Sequence, residues 1–396
     1  MNKLMIIGGG YVGMEYAKLA KVKDVTCTIV DVDKQRVATL NGIHCLSACT
    51  WADVKQVKYN RTWMVCVPTP VTVDLRPDTT CVYAAVDSVV KHSMTGDALL
   101  LVSTVDLVTL DRVKRTVLEA DMVFAHTPER MAPGDTVPMQ MVHLIGADSQ
   151  RAADAAETAL HGLGLTTEQV SSPTVAALSK LLENTKRDVN IALLNEFAVV
   201  AHNAGVSMSE VLAAAETKRG FVDAAYTPGL VGGHCVAVDP WLFAASGVDV
   251  DSSVVVAARR FNAAMATKVA ALADGNPGYT VILGATFKPN CPDVRNCGGA
   301  AVARELLARG ARVVLVDPVA NLDAFRREHR DLVITDRFAK VRQKVDTLVL
   351  LLEHKDAPYR EDMLDHVVDH GLVVDPWQLA SWTAMRSNGR LRYISF

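Results

Sequence analysis

The chain has 396 residues, half of them hydrophobic and 21% charged, with a formal net charge of -3. That length exceeds a single hydrophobic core and predicts two or three domains, while the apolar content excludes a disordered chain. With no long basic run, the sequence offers no electrostatic footprint for nucleic acid or an anionic membrane.

Only a short apolar stretch, Leu4 to Ile7, precedes three glycines. The opening residues therefore lack the apolar core of a signal peptide, and a cytoplasmic setting is expected. Short β-branched runs then alternate with helical patterns: Thr26 to Val30, Trp63 to Val67, Leu99 to Val102, Met122 to Ala125 and His143 to Ile145. This alternation predicts a parallel sheet with covering helices. From Pro173 to about Leu272 the chain turns rich in Ala, Leu and Asn, with apolar residues at helical spacing through Val175 to Ala204 and Val254 to Leu272. Beyond the turn cluster Gly275, Asn276, Pro277 and Gly278, strand patterns resume at Thr280 to Leu283, Arg312 to Val316, Thr347 to Leu352 and Leu372 to Val374. The expected architecture is α/β, with two α/β halves around a helical middle, divided at 1–172, 173–274 and 275–396. The longest apolar runs fall far short of the ~18 residues needed to span a bilayer. Eight cysteines are too sparse for a disulfide scaffold in so long a chain. His44, Cys45 and Cys49 come nearest to metal-ligand spacing, but no second pair completes a zinc set, so no metal is expected.

Gly8, Gly10 and Gly13 follow the first strand and open a helix, so backbone amides at the helix N-terminus can meet a pyrophosphate while the glycines permit close approach. Asp31 ends the second strand about 20 residues on, where a carboxylate accepts from both ribose hydroxyls and repels the extra phosphate of NADP. NAD is the expected cofactor.

Several residues suit catalysis. Cys235 stands behind Gly232 and Gly233, with Asp239 four residues beyond, in a setting that fits a nucleophilic thiol or a structural one in a glycine turn. Lys180 and Asn184 lie at i and i+4 of a predicted helix, so an ammonium and an amide can reach one oxygen, unless that face is simply solvated. Glu129 and Arg130 follow the Met122 to Ala125 strand, in a loop that continues to Pro133 and Gly134. Ser103 and Thr104 sit at the carboxyl edge of another strand, where open α/β sheets bind ligands.

Taken in order, these stretches resemble the UDP-glucose/GDP-mannose dehydrogenase family: GGGYVG from Gly8 through Tyr11, Val12 and Gly13, CVPTP from Cys66, ST at Ser103, TPERMAPG from Thr127, SKLLENTKRDVNIALLNE from Ser179, GGHCVAVDPW from Gly232 and FKPNCPDVRN from Phe287. The resemblance spans the chain and implies two Rossmann-like domains flanking the helical one. It implies a four-electron oxidation of a nucleotide sugar's primary alcohol to the carboxylate with two NAD molecules, through a Cys235 thiohemiacetal and thioester. Lys180 and Asn184 are then oxyanion donors, and Thr104, Glu129 and Asp239 hold or activate water. Thr69, Thr104 and Arg295 match cofactor contacts. Glu129, Arg130, Lys180, Asn184, Arg219, Gly232, Arg259, Asn262 and Lys288 match substrate contacts, with Arg219 lent to a neighbouring subunit.

The cysteine loop and the PER at Pro128 to Arg130 look most like the N-acetylhexosamine branch, UDP-N-acetylmannosamine in particular, with UDP-glucose as the alternative. The loop Thr227 to Val231 is one residue shorter than is usual there, and Lys186 stands where an aromatic is common. A homodimer and a place in polysaccharide biosynthesis follow from the same resemblance. Two rivals remain on the residues alone. A two-electron β-hydroxyacid dehydrogenase would share the Lys and Asn pair, and a non-catalytic sensor would keep only the glycine loop.

Overall fold

A computed structural model of the chain describes residues 3–43, 46–55, 60–130, 141–218, 226–247, 249–276, 278–357, 361–379 and 389–396. His44, Cys45, Pro133, Gly134, Arg219 and Pro277 lie outside the described residues. The chain divides into two compact units, one of Met1–Asn184 with Trp241–Val250, the other of Thr185–Pro240 with Asp251–Phe396.

The first unit begins β1 (Lys3–Ile7), α1 (Tyr11–Val22), β2 (Cys27–Val30), α2 (Lys34–Asn41), β3 (Ala48–Cys49), β4 (Arg61–Val65) and α3 (Thr80–His92). It continues with β5 (Ala98–Leu101), α4 (Leu107–Glu119), β6 (Val123–His126), β7 (Val142–Ala147), α5 (Gln150–Gly162) and β8 (Thr166–Val170). The central strands β1, β4 and β5 are buried on both faces. Along β1, Leu4 and Ile6 enter one apolar layer while Met5 and Ile7 enter the other, and β5 repeats the alternation with Ala98 and Leu100 against Leu99 and Leu101. Each such fully buried Leu or Ile stabilises the fold by roughly 1.5–3 kcal/mol. Local capping starts the covering helices: Asp33 accepts from Gln35 and Arg36 amides, Asp106 from Thr109 and Ser149 from Ala152.

The sheet order is β3-β2-β1-β4-β5-β6-β7-β8, parallel except where β6 meets β7. The order reverses between β1 and β4, so the crevice at their carboxyl ends lies beside Gly8 and Cys66, the switch point where open α/β sheets take ligands.

The helix α6 (Pro173–Asn203) follows β8, then come α7 (Met208–Glu216), α8 (Asp239–Ala245) and α9 (Val254–Ala271). The second unit closes with β9 (Tyr279–Leu283), α10 (Gly298–Ala308), β10 (Arg312–Val316), α11 (Leu322–Glu328), β11 (Ile334–Thr335), β12 (Val345–Leu350), β13 (Val367–Val374) and β14 (Arg392–Ile394). Its sheet is wholly parallel, in the order β11-β10-β9-β12-β13-β14, again with a reversal at its first strand. On one face Ile282 and Val349 join Met265 and Val269 of α9 and Ala300 and Ala303 of α10; on the other Val281, Leu283, Leu348 and Leu350 form a second core. Gly299 permits the close approach of α10 to β9, since a Cβ there would stand 2.4 Å from the Gly284 carbonyl oxygen. No helix among the described residues is long and apolar enough to cross a membrane.

Candidate active site

In the first unit the glycine loop is shaped by contact. Gly8 has φ +97° and its amide extends the β2 pairing through Val30, while a Cβ at Gly13 would fall 2.0 Å from the Gly8 carbonyl oxygen. A Cβ at Gly10 would meet open space, and Gly10 caps α1 without a side-chain hydrogen bond. Tyr11 and Val12 form the first turn above it. Asp31 lies at the end of β2, its two oxygens accepting from the Gly9 amide at 2.7 Å and the Asp33 amide at 2.9 Å. Each oxygen keeps a further lone pair for a ribose hydroxyl. An open, uncapped helix N-terminus beside such a carboxylate fits a dinucleotide.

The loops at the neighbouring strand ends interlock. Thr69 donates to the Thr104 carbonyl at 2.8 Å, and the Ser103 hydroxyl donates to the Val67 carbonyl at 2.7 Å. Glu129 is buried; its amide bonds the Val102 carbonyl and its carboxylate accepts from the Arg130 amide at 2.7 Å. Burial, and then the Glu129 charge, push the Tyr16 phenol well above its ordinary value, so a protonated phenol faces that carboxylate. His126 stays neutral because burial pushes it down to about 4.

Arg130 differs from expectation. Its guanidinium holds Glu183 of α6 at 2.7 Å and the Val142 carbonyl at 2.7 Å, so its polar atoms tie the loop to the helix rather than reaching for a ligand. Lys180 and Asn184, by contrast, lie on the buried face of α6, while Lys186 and Arg187 face solvent. No carboxylate pairs with the Lys180 ammonium within 4 Å among the described residues, and a buried cation without a counter-charge is costly unless a ligand oxygen meets it.

The second unit holds a cavity of about 620 Å³ at the carboxyl ends of β9 and β12, walled by Thr227 to Leu230, Lys288, the start of α10 at Gly298, Leu352 and Trp377. The Lys288 ammonium lies 5.8 Å from the Phe287 ring centroid. Beside the cavity, Gly232 and Gly233 bring the cysteine loop against its neighbour: a Cβ at Gly232 would sit 2.5 Å from the Asn296 carbonyl oxygen, and Gly233 has φ +76° against the Phe287 ring. The Gly233 amide donates to the Arg295 carbonyl at 3.2 Å and Asn296 donates back to the Gly233 carbonyl at 3.1 Å.

Cys235 is half-buried, and its carbonyl accepts from the Val238 and Asp239 amides as the loop winds into α8. Arg295 grips Asp293 through bonds of 2.5–3.1 Å. That bond chiefly raises the guanidinium above its ordinary range, with charge at Cys235 a smaller contributor. Burial, then Arg295, lower the His234 imidazole. The Arg295 side chain, matched by the resemblance to a cofactor contact, bonds Asp293 and is 41% exposed.

Arg259 and Asn262 do not line the cavity. Arg259 holds Asp188 at 2.7 Å, and Asn262 donates to the Asp188 side chain and carbonyl, each at 2.8 Å. Burial pushes the Asp188 carboxyl up, against the opposing pull of Arg259. Asn195 continues this buried network. Asp188 and Asn195 stand in the SKLLENTKRDVNIALLNE stretch without a chemistry of their own to mark them, although spacings of four and seven from Asn184 and Asp188 put them on its face of α6.

Three family models match the chain: the NAD binding domain of the UDP-glucose/GDP-mannose dehydrogenase family over residues 46–161, its central domain over 174–264 and its UDP binding domain over 281–381. The chain belongs to the UDP-glucose/GDP-mannose dehydrogenase family. It is an NAD-dependent nucleotide-sugar dehydrogenase, and the NAD-binding match takes in strands β3 to β7 of the first sheet. The UDP-N-acetyl-D-glucosamine 6-dehydrogenase of Salmonella typhi is 30% identical to this dehydrogenase, covering 84% of this chain and 86% of that one. The UDP-N-acetyl-D-mannosamine dehydrogenase of Pyrococcus horikoshii is 30% identical, covering 81% and 78%. A solved structure of a Pyrococcus horikoshii UDP-N-acetyl-D-mannosamine dehydrogenase has the same fold, with a TM-score of 0.84 at 24% identity over 99% of both chains.

Proposed function

We propose that this dehydrogenase oxidises the primary alcohol of a UDP-N-acetylhexosamine, UDP-N-acetylmannosamine foremost, to the uronic acid. The observation that carries the chemistry is Cys235: a half-buried thiol in a glycine-anchored loop that the Gly233 amide ties to the Arg295 carbonyl. The GGHCVAVDPW loop, the PER at Pro128 to Arg130 and the Pyrococcus relative support the mannosamine epimer, while the Salmonella relative favours N-acetylglucosamine and UDP-glucose stays the alternative outside that branch.

Gly8, Gly10, Tyr11, Val12 and Gly13 with Asp31 hold NAD in this reading, joined by Thr69 and Thr104. Bound NAD accepts hydride from the sugar carbon in each of two oxidations. Lys180 and Asn184 donate to the substrate oxygen as it gains negative charge, where a dry site makes such donors most effective. The Cys235 sulfur adds to the aldehyde carbon, forming a C–S bond and a thiohemiacetal that the second oxidation converts to a thioester. Glu129 takes a proton from water, whose oxygen attacks the thioester carbon; the C–S bond breaks and the thiolate is restored. One alcohol, two NAD⁺ and one water give one carboxylate, two NADH and three protons. Asp239 at the head of α8 holds water in this scheme, and Lys288 with the cavity walls takes the nucleotide.

The reading keeps three domains at 1–172, 173–274 and 275–396, in a cytoplasmic enzyme of polysaccharide biosynthesis. A homodimer fits the exposed apolar stripe of α6, where Leu193, Phe197 and Val200 are each more than half exposed at helical spacing.

The test is NADH released per sugar consumed, across UDP-N-acetylmannosamine, UDP-N-acetylglucosamine, UDP-glucose and GDP-mannose. Two NADH with an N-acetylated sugar is the expected result. One NADH per sugar would sink the thioester route, and activity confined to UDP-glucose would overturn the branch.

A further inference from the structure

Asn195 makes a two-sided bond to one backbone residue of the cavity wall. Its side-chain oxygen accepts from the Gly229 amide at 2.8 Å and its amide donates to the Gly229 carbonyl at 2.9 Å. The same amide donates to the Asn262 side-chain oxygen at 2.9 Å. Asn262 is in turn fixed on Asp188, and Asp188 on Arg259, so the groups follow one another from α9 through α6 to the loop. Asn195 and Asp188 are fully buried and Asn262 and Arg259 nearly so. One Asp188 oxygen takes the Arg259 and Asn262 donors while the other has no hydrogen-bond partner among the described residues; the bonds from Asn262 through Asn195 to Gly229 hold their geometry because breaking one leaves a further unpaired group in a dry interior.

The loop is braced on its other side as well. A Cβ at Gly298 would stand 2.6 Å from that of Leu230, so the start of α10 accepts the loop only because residue 298 is glycine. Thr227, Pro228, Gly229 and Leu230 all line the 620 Å³ cavity. Cys235, six residues on, has separate anchors in the Gly233 bonds to Arg295 and Asn296.

We propose that Asn195 is a positioning residue for the sugar-nucleotide site: backed by Asn262, Asp188 and Arg259, it clamps Gly229 and so sets the wall of the cavity without touching the ligand. This rests on the reading that the cavity takes the nucleotide sugar. The clamp acts on the wall and not on the cysteine, so its loss weakens sugar-nucleotide binding and leaves the chemistry and NAD binding in place.

Asn195→Leu removes all three hydrogen bonds at similar volume, and Asn195→Ser, too short to span both Gly229 groups, is the milder variant should the first not fold. The expected result is a KM for the UDP-sugar, and a Kd for UDP alone by calorimetry, raised about tenfold or more, since sub-ångström misplacement of a binding wall acts on this scale. KM for NAD, NADH per sugar and kcat within about threefold stay as in the parent enzyme, and amide exchange quickens in residues 226–231. Unchanged UDP affinity in a folded variant overturns the proposal. So does a joint decline in NAD and UDP-sugar parameters with kcat, which is the mark of a residue that only supports the fold. Calorimetry with UDP tests the clamp even if the two-NADH stoichiometry fails, so the two readings stand or fall separately.

Discussion

The His354 imidazole stands 3.0 Å from the Asp317 carboxylate, both fully or almost fully buried. At its other nitrogen His354 accepts from the Asn290 amide at 2.9 Å. Asp317 occupies in the second unit the place Asp31 has in the first, the end of the strand after the glycine turn. The two acids are spent differently. Asp31 takes two amides and keeps capacity for a ribose, whereas Asp317 takes the Ala285, Thr286, Val319 and Ala320 amides in addition to His354. A second sheet of the same winding is thereby closed to a dinucleotide at that position, and its acid pins the turn leading to Lys288 instead.

Asp317→Asn should therefore destabilise the second unit by roughly 3 kcal/mol, the scale of a broken buried pair, read as a melting temperature lower by about 10 °C. Burial opposes ionisation of Asp317, but the His354 bond and the amides outweigh it and hold the carboxyl below its ordinary range. Its contribution to stability is thus complete above the unfolded-state value of about 3.9 and is lost as pH falls through the lower folded value. Parent and variant stabilities should converge below about pH 4; a constant gap down to pH 2.5 would refute the assignment.

Asp31→Ala removes the ribose acceptor and the brace on the Gly9 and Asp33 amides together. KM for NAD should rise at least about tenfold, equivalent to about 1.4 kcal/mol, with KM for the UDP-sugar unchanged. Titration of NAD by fluorescence or calorimetry checks it, and equal affinity in both proteins would remove Asp31 from the cofactor site.

Much of this was legible in the residues because the signals are local. The strands β1, β5, β9 and β12 are apolar on both faces, as a covered parallel sheet demands, and α6 and α9 keep helical spacing to within a few residues of the expected ends. The edges were not legible. The strand β8 reads TTEQV with a mostly exposed face, and β3 and β11 are two residues long, so neither pattern nor propensity marks them. Nor can spacing reveal where a polar side chain spends its hydrogen bonds. Arg130, Arg259 and Asn262 carry the right chemistry for a substrate, and Glu183 and Asp188, distant in sequence, each accept some of their donors.

Cys235→Ser keeps the loop's shape and replaces the thiolate with a poor nucleophile. Steady-state NADH formation should drop by at least about a thousandfold, the scale on which losing a covalent nucleophile acts. Mass spectrometry should find the sugar esterified to the chain at residue 235 if the second oxidation proceeds once. Undiminished production of two NADH per sugar would rule Cys235 out as the nucleophile.

Lys180 separates function from stability most sharply. Its ammonium is 4% exposed on the inner face of α6, with no carboxylate in ion-pair range among the described residues. A lysine so placed can meet a substrate oxygen from the inner face of the helix. Lys180→Met, similar in length and apolar, should raise stability by about 1–3 kcal/mol while kcat/KM falls on the order of a hundredfold or more. Denaturant melts and steady-state rates on the same preparation decide it. A variant that is both less stable and less active would mean that the lysine supports the helix face, and that the oxyanion role belongs elsewhere.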